Sequence, residues 1–127
     1  MRAARNSSRL LDRRKASMRQ LAHEIEETES RQFDRDYAGL DDGIRTYVKR
    51  LRLSGIETFE SCEGGPGHSY PEPTVRFSGT PETGWRALAI CLAYGLPVLS
   101  LRREWDVLDA NEVTGPYWAI TFRVKSC

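Results

Sequence analysis

The chain contains no apolar run approaching the roughly 18 residues that a membrane-spanning helix needs. Met1 is followed by arginine and polar residues instead of an apolar core, so no secretory leader is expected. Cysteine is scarce. Cys62, Cys91 and Cys127 are an odd, widely spaced set with no Cys-x-x-Cys pair. Small secreted domains use even sets of disulfides, and structural zinc uses closely spaced ligands. The composition therefore points to a reduced, cytoplasmic protein with no metal and no cofactor. Apolar residues are also somewhat few, at 39%, while charged residues reach 29%. That imbalance is concentrated in residues 1–36.

Although the net charge is only +1, the charges fall in blocks. Residues 1–20 carry seven basic side chains and one acid, and residues 21–42 carry two basic side chains and eight acids. Leu11, Met18, Leu21 and Ile25 fall on one helical stripe within this region. Residues 1–40 thus read as a charged helical arm, and residues 41–127 as a compact domain. The arm suits docking on the domain, pairing with a second copy as a homo-oligomer, or contact with an acidic partner.

The compact part repeats a helix–strand–strand pattern. Asp41 or Asp42 can cap a first helix. Its stripe of Ile44, Tyr47, Val48 and Leu51 has the spacing of a core-facing surface, and Gly55 can end it. A strand over about 56–62 follows. In the second unit Thr80 caps, Pro81 takes the first helical position, and Trp85, Leu88 and Leu92 form the stripe. Gly95 and Pro97 stop that helix, and strands over about 97–107 and 116–125 follow. The predicted fold class is α+β, an antiparallel four-stranded sheet with two helices on one face. Alternation turns Phe59, Val75, Phe77, Leu99, Leu101, Trp118, Ile120 and Phe122 toward the helices. The other face receives Thr58, Glu60, Cys62, Arg76, Arg102, Glu104, Tyr117 and Arg123.

The chemistry-bearing residues concentrate between the first two strands of the sheet. Gly64, Gly65 and Gly67 expose amides that can form an anion-binding nest, with Arg76 as a bidentate partner. The same glycines also suit a wide hairpin loop. There is no Walker ending, and no helix follows. Cys62 and His68 can act as nucleophile and base, or Cys62 can be an ordinary sheet residue. Glu60, Glu63, Tyr70, Arg102 and Arg123 complete the candidate ligand-binding set. Their mixed charges favour a small anionic ligand or a protein surface over a long nucleic acid.

The segment Gly55-Ile-Glu-Thr-Phe-Glu-Ser-Cys-Glu-Gly-Gly, with Gly67-His68 and Pro71-Glu-Pro-Thr-Val-Arg-Phe77, resembles a group of small uncharacterised proteins from bacteria and their phages. The similarity runs from about residue 41 onward and leaves the arm outside. A phage setting implies a host-interacting or anti-defence protein that binds a nucleotide signal or a host protein. The expected function is therefore a binding module. The alternatives are a small Cys/His-dependent enzyme and an interaction protein that works through its N-terminal helix.

Overall fold

The computed structural model describes residues 2–124, with side chains from residue 8 onward. It divides into two units, Met1–Ala38 and Gly39–Cys127. The first contains a single helix, α1 (Arg2–Asp36). The second runs α2 (Asp42–Leu53), β1 (Thr58–Cys62), β2 (Thr74–Phe77), α3 (Pro81–Ala93), β3 (Val98–Val107), a 3-10 turn at Asp109–Asn111, and β4 (Val113–Phe122). Residue 125, the expected end of the last strand, and Cys127 lie outside the described residues.

Local chemistry accounts for the helices. α1 is rich in strong helix formers and carries i,i+4 links in its second half, including His23 to Glu27 at 3.0 Å and Gln32 to Asp36 at 2.8 Å. Each such link contributes about 0.2–0.5 kcal/mol. α3 begins with a reciprocal capping box between Thr80 and Thr83, and Pro81 opens its first turn. The start of α2 is different. Asp41 occupies the cap position without a side-chain capping bond, and Asp42 instead pairs with Arg45 at 3.1 Å. α2 and α3 end alike. The amides of Ile56 and Leu96 reach back to the carbonyls of Leu51 and Cys91. Gly55 (φ 86°) and Gly95 (φ 68°) supply the left-handed residue that this ending requires.

The four strands form one antiparallel sheet in the order β1-β2-β4-β3. The two hairpins meet through their second strands, as expected for a helix–strand–strand unit used twice. α2 and α3 cover one face. Ile44, Tyr47, Val48 and Leu51 from α2 are buried, as are Val75, Phe77, Ile120 and Phe122 from the sheet. The Tyr47 and Phe122 rings stack at 4.0 Å. Burying side chains of this size stabilises by about 1.5–3 kcal/mol each.

Three expectations about facing are corrected. Phe59 and Leu99 do not point into the core and are 49% and 46% exposed. Each sits at a break in register, between Thr58 and Glu60 and between Val98 and Ser100. An extra residue at a bulge reverses the alternation beyond it. For the same reason Thr58 is buried on the helix side, where it accepts a 2.9 Å hydrogen bond from Arg52 Nε. The third correction concerns α3, which buries Gly84, Ala87 and Cys91 and leaves Trp85 and Leu92 exposed. Trp118 on β4 decides this. A Cβ at Gly84 would stand 2.4 Å from the Trp118 ring, so only a glycine fits beneath it. The indole is held by its Nε1, which donates to Thr80 O at 3.0 Å.

Candidate functional site

The site grows out of the loop between β1 and β2. Its neck is pinched shut by backbone. Gly64 adopts φ 81°, and a Cβ there would lie 2.5 Å from the Glu72 carbonyl carbon. The Gly65 amide donates to Pro71 O at 3.0 Å, and the His68 amide donates to Gly65 O at 3.2 Å. The Gly65 and His68 amides are therefore committed to shaping the loop, which removes them from an anion nest.

The folded loop leans over the edge of β1 and the entrance to α2, enclosing a polar cleft of about 330 Å³. Glu60, Ser61, Cys62, Glu63, Gly67, His68 and Ser69 line it together with Gly39, Leu40, Asp41 and Ile44. His68 Nε2 lies 3.2 Å from Glu63 Oε1, an ion pair when the imidazole is protonated. Five of the expected site residues thus share one hollow: Glu60, Cys62, Glu63, Gly67 and His68. His68 has Glu63 as its partner. Among the described residues, no group of three or more His, Cys, Asp or Glu side chains is arranged to hold a metal ion.

Beside this cleft, the sheet face away from α2 and α3 carries a caged guanidinium. Cross-strand pairing sets up a row of Glu60, Arg76, Ala119 and Arg102. Ala119 is too short to block Arg76, which reaches across β4 to the far strand. Arg76 Nη1 donates to Glu60 Oε2 at 2.8 Å and Nη2 donates to Asp106 Oδ1 at 2.9 Å. Its Nε faces Glu104 Oε2 at 3.4 Å. The rings of Phe59 and Tyr117 lie 5.2 and 5.3 Å from the guanidinium carbon. Only 5% of Arg76 is exposed. Burial by itself would lower its pKa, but the hydrogen bonds to Glu60 and Asp106 more than offset this and raise it. Arg76 is thus surrounded by three carboxylates, leaving a local charge of −2. Tyr70 belongs to the same neighbourhood. Burial, then the charge of Glu60, pushes its phenol up, and Arg76 pulls the other way.

The remaining candidates lie apart. Arg102 is exposed at the end of the row. Arg123 and Gly64 line a second cleft of about 490 Å³ with Tyr47, Leu96, Pro97 and Val124. The three arginines do not converge on one hollow. Asp41, Ser61 and Ser69 in the cleft, and Asp106 in the cage, were not among the candidates from sequence. Asp41 reads locally as a helix cap. For Asp106 a signal was available, since it stands two residues from Glu104 on the same strand. No protein-family model, curated protein or solved structure matches the chain.

Proposed function

We propose that this chain is a non-catalytic binding module whose receptor site is the 330 Å³ cleft beneath the β1–β2 loop. Its ligand is a small polar molecule rich in hydrogen-bond donors and carrying positive charge. The observation behind this is the lining: Asp41, Glu60 and Glu63 contribute carboxylates, and among the described residues no lysine or arginine lines the cleft, although Glu60 is held by Arg76 from the adjoining sheet face. An anion such as a nucleotide phosphate would meet the wrong sign there. The residue best placed to counter that, Arg76, is already engaged by Glu60, Glu104 and Asp106. Donor groups fit because a carboxylate accepts from several directions at once and prefers charged donors.

The test is calorimetric titration of the full chain with spermidine, arginine and ATP. Binding of a cationic probe is expected, with a loss of about tenfold or more in Glu63→Gln, corresponding to about 1.4 kcal/mol. Cys62→Ser is expected to bind as the parent does. If ATP binds instead and Arg123→Ala abolishes it, the ligand is an anion in the second cleft and this reading fails. A Cys62-dependent turnover would favour the enzyme alternative.

A further inference from the structure

α1 presents an apolar stripe that nothing in its own unit covers. Leu11, Met18, Leu21 and Ile25 are between 50% and 71% exposed. At 1.5 Å per residue the helix is about 52 Å long, and few isolated helices with so little apolar burial are stable in water. Its charges are also unevenly satisfied. Its side-chain links to carboxylates, amides and backbone run from Gln20 to Asp36. Among the described residues, Arg9, Arg13, Arg14, Lys15 and Arg19 make no ion pair with a carboxylate. Arg9 and Arg13, and Lys15 and Arg19, are moreover like charges one turn apart, which destabilises a lone helix.

We infer that α1 is a self-association element that pairs antiparallel with α1 of a second copy. The charge pattern selects both the partner and the orientation. Residues 8–20 carry five basic side chains and one acid, and residues 21–36 carry two basic side chains and six acids. An antiparallel pair lays each basic half along an acidic half, whereas a parallel pair opposes like blocks along the whole length. The apolar stripe agrees with this. With the overlap centred near Met18 and Leu21, Leu11 of one copy lies near Ile25 to Thr28 of the other, so both stripes close on each other. The basic side chains that lack carboxylate partners within one chain gain them across the seam.

The full chain is tested by sedimentation equilibrium and light scattering. A particle of twice the 14.5 kDa chain mass is expected at low salt, shifting toward the monomer as salt rises. Two charge-reversed variants separate charge from simple stickiness. R13E/R14E/K15E and E24K/E26K/E27K are each expected to be monomeric, and an equimolar mixture to form the heterodimer. Orientation is read from one introduced cysteine at a time in a Cys62→Ser, Cys127→Ser background, where the remaining Cys91 is fully buried. Met18→Cys is expected to cross-link, and Leu11→Cys not, because antiparallel pairing holds the two copies of position 11 about 21–26 Å apart along the axis. A monomer at low salt and high concentration, a mixture that fails to pair, or Leu11→Cys cross-linking as readily as Met18→Cys would overturn the inference.

Discussion

A single arginine does most to define the character of the sheet face that points away from α2 and α3. Arg76 is nearly buried, yet its partners Glu60, Glu104 and Asp106 are partly open to water. Replacing it with methionine keeps the stem and removes the charge, leaving three carboxylates to repel one another. Removing one partner of a fully buried pair costs about 3–5 kcal/mol, and solvent screening of these carboxylates reduces that to about 2 kcal/mol. Urea unfolding at low and high salt checks this, since the deficit of Arg76→Met is expected to shrink as salt screens the three carboxylates from one another. Cys91 tests burial in the opposite part of the domain. Fully enclosed by α3 and the core, its thiol is pushed up from 9.0 to about 11 by burial. A raised pKa means the folded state holds the proton more tightly. Its stability contribution is therefore intact below pH 9 and lost as pH rises toward 11, amounting to about 2–3 kcal/mol. Cys91→Ala is expected to flatten that part of the stability–pH curve.

At the level of elements, α3 shows how volume outranks periodicity. Gly84→Ala would gain up to about 1 kcal/mol of helix propensity, but its methyl would meet the Trp118 ring. Overpacking of this kind costs about 1–3 kcal/mol, and the bond from Trp118 to Thr80 O keeps the ring from yielding. A net loss of up to about 2 kcal/mol and an altered tryptophan fluorescence spectrum are expected. The same comparison shows which elements the sequence reveals. α2 was legible because its stripe, its glycine stop and its basic outer face are all local signals. The inner face of α3 was not. Trp85, Leu88 and Leu92 form as good a stripe as Gly84, Ala87 and Cys91 one residue away, and the choice depends on a side chain from β4. Phe59 and Leu99 escaped for a related reason, because bulges are fixed by the partner strand. The residues of the cleft were legible as a cluster around one loop. The sign of the cluster was not, because the carboxylates that occupy Arg76 arrive from β3, 28 and 30 residues farther along the chain.

For the whole molecule, the division at Ala38 and Gly39 separates a helix whose apolar residues are mostly exposed from a domain with its own core. Residues 39–127 alone are expected to unfold cooperatively with a midpoint close to that of the full chain, as measured by circular dichroism, and to keep spermidine binding. A collapsed melting transition in that fragment would show that α1 is needed for the fold. Within the domain, Arg76 links strands that the backbone ladder joins only to their immediate neighbours. Its guanidinium touches β1 on one side and β3 on the other, passing over β4. If either hairpin slid by one position, every alternate side chain would change faces, and a carboxylate would be driven toward Phe77 and Ile120. The cage thus acts as an alignment key, admitting one phase of strand pairing and rejecting its neighbours.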